Sequence, residues 1–227
     1  MNLTTRDRHP EQMDQPELDY QSHLKALNAL RRLNRIALTA ELLFPVLETI
    51  FRESRVRTFR VLDIATGGGD LPIRLTEMAE RRHLPWIVDG CDFSQTALDI
   101  AADRARRAGL ENQRFFQRDL LRMELPLGYD VLICSQFLHH LSEAEAVLLL
   151  QKMRRATRHS VIVHDLIRSR LGYFMAEVGC HILTRSPVIQ NDGPLSVRAA
   201  FQIPEVRRLA EAAGLNDCRI TQHWPQR

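Results

Sequence analysis

The chain has 227 residues, of which 44% are hydrophobic, and this length allows one α/β core with an N-terminal extension. Its 31 basic residues are interspersed with 28 acidic ones, which leaves a formal net charge of +3. This balance indicates an ordinary solvated surface and argues against a nucleic-acid-binding protein.

Cysteine usage and hydropathy indicate the compartment. Cys91, Cys134, Cys180 and Cys218 lie far apart and form no Cys-x-x-Cys pair, which is typical of reduced thiols in a cytoplasmic protein. No apolar run approaches the roughly 20 residues of a membrane span. The N-terminus lacks the apolar segment of a signal peptide. We therefore expect a cytoplasmic protein that does not insert into a membrane.

The N-terminal quarter of the chain is predicted to precede the main fold. Residues 1–16 are polar and contain two prolines, which predicts a flexible tail. Residues 17–55 contain two helical segments, which predict a helical cap, with Pro45 expected to break or bend the second helix. Residues 56–227 are predicted to form the main domain.

Strand and helix signals alternate from residue 59 onward. The predicted strands are 59–65, 86–91, 113–117, 129–134 and 159–164, and the helices between them are 70–82, 94–108 and 142–157. Apolar runs such as "YDVLICS" predict an α/β fold, with a mostly parallel sheet covered by helices on both faces. Ligands of such sheets bind at the carboxyl ends of the strands.

The last third of the chain is predicted to be less regular. A helix is expected at 171–183, followed by an irregular stretch, "TRSPVIQNDGPLSVRAAF". A helix from Pro204 to Gly214 comes next, with proline and glycine at the positions that suit them. The segment "DCRITQHW" is predicted as a final strand.

The stretch "VLDIATGGGDLPIRL" carries three glycines between a predicted strand and a predicted helix. A dinucleotide fingerprint needs glycine where Pro72 stands, and a phosphate loop needs a Lys followed by Ser or Thr. Asp70 is expected to cap the helix N–H groups that a phosphate would use. The loop therefore favours a ligand that is neutral or cationic at this point.

Three carboxylates lie at or just beyond the ends of the first three predicted strands. Asp92 is suited to accept hydrogen bonds from both hydroxyls of a ribose. Asp119 could accept from an adenine amine, and Asp63 could face an ammonium group. A nucleoside with a cationic tail fits this set better than a nucleotide.

The segments "VLDIATGGGD", "DGCDFS", "QRDLLRMELP" and "YDVLICSQFLHHL" resemble the motifs of class I S-adenosylmethionine-dependent methyltransferases over about residues 58–165. The resemblance implies a Rossmann-like methyltransferase fold and S-adenosyl-L-methionine as the cofactor. In it, Ala65 takes the position of the family's first glycine. The cofactor-binding residues that it implies are Asp63, Ala65, Thr66, Gly67, Gly69, Asp92, Phe93, Asp119, Leu120 and Ser135.

Further segments, "LRRLNRI", "HDLIRSRLGY" and "LTRSPVIQNDGPLSVRAAF", resemble small-molecule methyltransferases encoded beside type III polyketide synthases and, more distantly, quinone-biosynthesis methyltransferases. This implies a small aromatic acceptor, a phenolic polyketide or quinol, methylated at oxygen. C-methylation and a non-catalytic methyltransferase-like binding subunit are the alternatives. Sheets of this family end in an antiparallel hairpin, so either an edge is exposed here or the sequence has been cut short.

A phenolic acceptor needs a base, and the candidates end strands 4 and 5: His139, His140, His164 and Asp165. The adjacent histidines are not expected to point into one site, and His164 and Asp165 are expected to face opposite ways. No metal is expected, because the histidines lack i, i+4 spacing and no acids cluster near them. The predicted substrate-binding residues are Asn34, Arg35, Phe137, Arg168, Tyr173, Asp192, Ser196 and Arg198.

Overall fold

The computed structural model describes residues 3–15 and 17–227, and its centre is a five-stranded sheet of order β3-β2-β1-β4-β5. The strands are β1 (Phe59–Ile64), β2 (Trp86–Asp92), β3 (Phe115–Gln117), β4 (Tyr129–Ser135) and β5 (Thr157–His164). β1 pairs in parallel with β2 and β4, and β2 pairs in parallel with β3. The predicted α/β fold class with a parallel sheet is confirmed.

Eight α-helices lie within the described residues. They are α1 (Tyr20–Ile36), α2 (Thr39–Ser54), α3 (Asp70–Arg81), α4 (Gln95–Arg107), α5 (Glu143–Ala156), α6 (Arg170–Leu183), α7 (Pro187–Ala199) and α8 (Ile203–Ala212). From residue 59 to residue 164, every predicted strand and helix ends within two residues of the observed bounds. None of the helices in the described part of the chain is long and apolar enough to cross a membrane.

Pro45 does not break α2, contrary to one of the two expectations from the sequence. The helix runs from Thr39 to Ser54 with Pro45 inside it. Its flanking residues Leu43, Phe44 and Leu47 are buried in the apolar core. An interior proline costs a helix about 3 kcal/mol, and burial of three large side chains offsets a cost of that size.

The chain divides into two compact units. The first comprises Met1–Leu33, Gln136–Gln151 and His164–Arg227, and the second comprises Asn34–Ser135 and Lys152–Val163. The second unit contains most of the sheet, and its core joins strand residues such as Val131 and Ile133 to Leu47 of α2 and Leu75 of α3. The sequence predicts domain boundaries after residues 16 and 55, and these two units are divided at other residues. The predicted division into tail, cap and main domain stays a prediction.

The first unit has a smaller apolar core. Ala26 and Ala29 of α1 lie in one buried cluster with Cys180 of α6 and with Val188 and Ile189 of α7. The stretch predicted as irregular therefore contains a buried helix, α7. Pro187 occupies the first turn of that helix, where its missing N–H costs nothing, whereas Pro194 lies inside the helix and is buried.

The predicted last strand is not formed. Residues 217–224 carry no strand in the described structure, and none of their side chains is fully buried. An alternating pattern stabilises a strand only when one face is covered and a neighbouring strand takes its hydrogen bonds. Cys218 and Ile220, the apolar residues of the pattern, are only half-buried.

Residues 3–15, which the sequence predicts as part of a flexible tail, make specific contacts in the first unit. The Asp7 N–H donates to the Arg198 carbonyl, and the two side chains form an ion pair. Arg6 donates to the carbonyl of Ala199, with Nε 2.5 Å from the oxygen. Met1, Asn2 and Pro16, which belong to the same predicted tail, lie outside the described residues.

Candidate functional site

The loop between β1 and α3 depends on left-handed backbone conformations. Ala65, Gly67 and Gly69 have φ angles of 53°, 53° and 73°. The Gly67 N–H donates to Oδ2 of Asp92 at 2.7 Å, which ties the loop to the end of β2. A non-glycine residue in this conformation costs about 1–2 kcal/mol, so Ala65 is strained where the family has glycine.

Gly69 is required for packing as well as for its φ angle. A Cβ there would lie 2.7 Å from Cβ of Ala101 and 2.9 Å from Cε1 of Phe115. We expect Gly69→Ala to lower the free energy of unfolding by about 2 kcal/mol, because overpacking adds to the backbone strain. Gly109 is the matched control, since its φ is +76° and, apart from its own chain neighbours, no described atom would lie within 4 Å of its Cβ. Equal losses for Gly69→Ala and Gly109→Ala in urea unfolding would contradict this packing role.

Asp63 is a buried carboxylate near the end of β1, and it is 2% exposed. Its Oδ2 accepts a hydrogen bond from Thr66 Oγ1 at 2.6 Å, whereas Oδ1 has no hydrogen-bond partner among the described residues. Burial, with the negative charges of Asp70 and Asp92, raises the pKa of Asp63 to about 8. A cationic N–H donor would satisfy Oδ1 and favour the ionised form.

Asp70 is not the N-cap residue of α3, which corrects the expectation from the sequence. The N-cap residue is Gly69, which has no side chain to cap the helix. Asp70 is the first helical residue, and its Oδ2 accepts a hydrogen bond from Nδ2 of Asn34 at 3.0 Å. The carboxylate still places negative charge at the start of the helix, where a phosphate would otherwise bind.

Arg35, the other predicted substrate residue in this unit, is exposed in the last turn of α1.

Asp92 and Phe93 lie at the end of β2. Oδ1 of Asp92 accepts from the Ser94 N–H at 2.9 Å, and Oδ2 accepts from the loop at Gly67. A carboxylate offers about four acceptor positions, so Asp92 can also accept from ligand hydroxyls. The Phe93 side chain is 69% exposed, which leaves an aromatic face open for stacking.

The remaining predicted cofactor residues of the second unit follow β3 and end β4. Oδ1 of Asp119 accepts from the N–H groups of Leu121 and Arg122, both at 3.0 Å, and so fixes a turn. Leu120 is buried, and Ser135 is half-buried as the last residue of β4. The strands β1, β2, β3 and β4 are neighbours in the sheet. The predicted cofactor residues at their ends therefore lie along the carboxyl edge of the sheet.

His139 lies in a buried ion cluster of the first unit, on the 3-10 turn Leu138–His140. Its Nδ1 is 2.6 Å from Oδ1 of Asp165, and its Nε2 is 3.6 Å from Oε1 of Glu11. Burial would lower the pKa of His139, but the carboxylates of Asp165 and Glu11 outweigh it and raise the pKa to about 10. Without another cation in the cluster, the ring is therefore protonated at neutral pH.

His140 points into the same cluster. Its Nε2 is 3.8 Å from Oε2 of Glu11, and its Nδ1 is 2.8 Å from Oδ2 of Asp14. The expectation that the two histidines point into different sites is wrong, because Oε1 of Glu11 lies near the His139 ring and Oε2 lies near the His140 ring. The expectation that no acids cluster near them is also wrong, because the carboxylates of Glu11, Asp14 and Asp165 lie beside the two rings.

The other predicted residues of strand 5 have different roles. Oδ1 of Asp165 lies 2.6 Å from Nδ1 of His139. The expectation that Asp165 and His164 face opposite ways stays a prediction. His164 is buried, and burial with the nearby charge of Arg227 lowers its pKa to about 4. His164 is therefore neutral at physiological pH.

Most predicted substrate residues of the first unit bind other parts of that unit. Arg168 is fully buried and pairs with Glu205, with Nη2 2.8 Å from Oε1. Asp192 accepts from the N–H groups of Gln12 and Met13. Ser196 donates to Glu11. These contacts fix the N-terminal segment and give Arg168, Asp192 and Ser196 structural partners.

The other predicted substrate residues of this unit differ in their environment. Arg198 pairs with Asp7, whereas Phe137 and Tyr173 are half-buried.

The sequence did not single out Glu11, Asp14 or Glu205. The first two lie in a polar segment that carries no periodic pattern, and they reach the histidines from the other end of the chain. The one available signal for Glu205 was its position three residues after Gln202, which forms a capping box at the start of α8.

Comparison with known proteins is consistent with this arrangement. Residues 61–160 match a family described as a methyltransferase domain. A demethylmenaquinone methyltransferase of Thermus thermophilus is 42% identical over 69 residues, which are 30% of this chain and 29% of the relative. A ubiquinone biosynthesis O-methyltransferase of Aeromonas salmonicida is 28% identical over 158 residues, which are 69% of this chain and 62% of the relative.

A solved structure resembles the fold over nearly its whole length. The S-adenosylmethionine-dependent methyltransferase from Aquifex aeolicus has a TM-score of 0.59 and 18% sequence identity, with coverage of 91% of this chain and 94% of the other. This likeness concerns the fold. The chain spans less than two thirds of both curated relatives, so their activities do not transfer to it directly.

Proposed function

We propose that this chain, which belongs to the class I S-adenosylmethionine-dependent methyltransferases, binds S-adenosylmethionine and methylates a small aromatic acceptor at oxygen. The observation that carries the cofactor assignment is Oδ1 of Asp63, a buried oxygen with no partner among the described residues. An ammonium group is the donor that such a carboxylate accepts best. The methionine part of the cofactor carries that group.

The residues of the carboxyl edge have complementary roles in this proposal. Asp63 holds the ammonium group, and Asp92 accepts from the ribose hydroxyls. The exposed ring of Phe93 stacks on the adenine, while Asp119 and Leu120 contact the edge of the adenine ring. The loop from Ala65 to Gly69 lets the backbone approach the methionine part closely. When bound, the cofactor supplies an electrophilic methyl group on a sulfonium.

The acceptor class rests on the sequence resemblance and on the relatives. The names of both curated relatives associate them with quinone compounds, and one of the two names specifies O-methylation. A phenolic polyketide or a quinol is therefore the proposed acceptor. C-methylation of an aromatic ring is the second candidate, because the other relative's name does not specify oxygen.

A histidine base stays a prediction, and the geometry argues against His139 in that role. A ring with its pKa near 10 is already protonated at neutral pH and cannot take a proton from a phenol. His164 is neutral, but it is buried. We propose that His139 and Asp165 position the turn that follows β4. The acceptor then reacts as a phenolate that has lost its proton to solvent water, and the rate relies mainly on alignment of its oxygen with the methyl group.

Methyl transfer from ¹³C-labelled S-adenosylmethionine to a panel of resorcinols, hydroxynaphthalenes, quinols and phenolic acids tests the proposal. We expect labelled methyl ethers, which NMR distinguishes from ring methyl groups. Ring methyl groups would favour the second candidate. Label found only in amines or nucleic acids would overturn the acceptor class. Cofactor binding without any transfer would favour a non-catalytic subunit.

Phe93 tests the adenine part of the proposed site. Phe93→Ala is expected to raise the Kd for S-adenosylmethionine about tenfold, since stacking of a base on an aromatic ring is worth about 1–3 kcal/mol. The thermal unfolding midpoint should not change, because the side chain is exposed. Leu127→Ala is the control, as Leu127 is 78% exposed and precedes β4 at the other end of the strand. An unchanged Kd for Phe93→Ala would remove this residue from the site.

A further inference from the structure

The cluster around Glu11, His139 and His140 contains three donor atoms that converge. One carboxylate oxygen of Glu11 and one ring nitrogen from each histidine all lie within 4.8 Å of one another. The Nε2 atoms of His139 and His140 are 3.6 Å and 3.8 Å from the Glu11 oxygens. Ligand atoms at about 2.0–2.1 Å from a tetrahedral zinc ion lie about 3.4 Å apart. Small side-chain shifts would therefore bring these atoms into coordination distance.

Both histidines are oriented as metal-binding histidines usually are. Nδ1 of His139 contacts Asp165 at 2.6 Å, and Nδ1 of His140 contacts Asp14 at 2.8 Å. A carboxylate on one ring nitrogen fixes the tautomer and directs the other nitrogen toward the metal. Glu11 has a similar support, because Ser196 Oγ donates to its Oε1 at 2.5 Å.

The backbone that carries the donors is also held in place. The N–H groups of Gln12 and Met13, which follow Glu11, donate to the carboxylate of Asp192. The carbonyls of His139 and His140 accept from Arg6 and Arg8 at 2.6 Å and 2.7 Å. Glu11 is 8% exposed and His139 is 3% exposed. Such a preorganised site loses little conformational entropy when it binds an ion.

The charges of the cluster favour a cation. Glu11, Asp14 and Asp165 bring three carboxylates to two imidazoles, which leaves an excess of negative charge if both rings are neutral. A divalent ion would supply the missing positive charge.

We propose that Glu11, His139 and His140 bind one divalent transition-metal ion, with Zn²⁺ as the ion that this donor set favours. Two imidazole nitrogens and one carboxylate oxygen suit zinc, whereas Mg²⁺ and Ca²⁺ prefer all-oxygen sites. Three protein ligands leave a fourth position open for water or an oxygen ligand. The site joins the N-terminal segment to the turn after β4. It uses none of the proposed cofactor residues, so zinc binding and S-adenosylmethionine binding are tested separately.

Zinc titration of the chelator-treated full chain tests this site. By calorimetry at pH 7 we expect one equivalent of Zn²⁺ to bind with a Kd of about 1 µM or lower. X-ray absorption should show two imidazole nitrogens and one carboxylate oxygen at about 2.0–2.1 Å.

Three variants separate metal binding from folding. Glu11→Gln and His140→Gln should each weaken zinc binding at least tenfold, and Asp14→Asn should weaken it about tenfold through loss of ring orientation. His181→Gln is the control, because His181 is an exposed histidine of the same unit. Asp14 is largely exposed, so its variant is expected to fold even if the Glu11 variant does not. Absence of stoichiometric zinc binding, or equal binding by all four variants, would overturn the proposal.

Discussion

Replacing Asp63 with Asn is expected to weaken the binding of S-adenosylmethionine about 100-fold. A hydrogen bond between a buried carboxylate and an ammonium group is worth about 1.5–3 kcal/mol, and the neutral amide loses its charge-assisted part. Calorimetric titration of the variant and of the wild type measures the change. Asn preserves the shape of the side chain, and it can still accept a hydrogen bond from Thr66.

The stability of Asp63→Asn should change in the opposite direction. Burial raises the pKa of Asp63 from 3.8 to about 8 in the folded chain. The stability that the protonated carboxyl contributes is therefore lost as the pH rises from 3.8 through about 8. Asn does not titrate, so at pH 8 and without ligand the variant should unfold at the same temperature as the wild type or a higher one.

Asp130→Asn is the matched control for Asp63→Asn. Asp130 is equally buried, but it lies near the start of β4, and its Oδ2 accepts from the Arg60 N–H. S-adenosylmethionine binding by Asp130→Asn should match the wild type. The wild-type affinity should also rise between pH 6 and pH 7.5 as the Asp63 carboxyl loses its proton, and the Asp63→Asn affinity should not. Equal loss of affinity in both variants would contradict the role of Asp63.

Arg168→Met is expected to lower the free energy of unfolding by about 3–5 kcal/mol, because it leaves the Glu205 carboxylate without its buried partner. The guanidinium also donates to the carbonyls of Leu3 and Ala200, at 3.1 Å and 2.5 Å. Met fills most of the volume but replaces none of these hydrogen bonds. For a chain of this size the thermal unfolding midpoint should fall by about 10 °C.

The exposed Arg170 provides the control for Arg168. It lies at the start of α6, two residues further along the chain, and Arg170→Met should change stability by less than about 0.5 kcal/mol. The two variants also separate the observed role of Arg168 from the substrate-binding role that the sequence predicted. A variant at Arg168 that unfolds like the wild type but has a raised KM for the acceptor would favour the substrate role.

The sheet and its carboxyl edge were accessible to sequence analysis because both leave local signals. Each strand from β1 to β5 is a short apolar run of its own. Asp63 and Asp92 could be placed beside each other because parallel neighbours end at the same edge. The lack of a donor for Oδ1 of Asp63 could not be predicted, since it depends on the packing of the whole loop.

The first unit was predicted less well, because its contacts join distant parts of the chain. The sequence of α7 is typical of a loop, because Gly193 and Pro194 disfavour a helix locally. Only burial of the segment outweighs this local preference. Glu11 carries no signal of its own, and its role follows only from its meeting with His139 and His140. The alternating pattern at residues 217–224 predicts a strand, but no neighbouring strand covers it among the described residues.

Calorimetric titration of the wild-type chain with S-adenosylmethionine measures the cofactor binding on which the proposed function depends. We expect one binding site, with release of part of a proton at pH 7 because Asp63 must ionise to hold the ammonium group. We also expect competition by S-adenosylhomocysteine, which keeps that ammonium group. No binding at ligand concentrations near 1 mM, the upper end of ordinary substrate affinities, would contradict the proposed function.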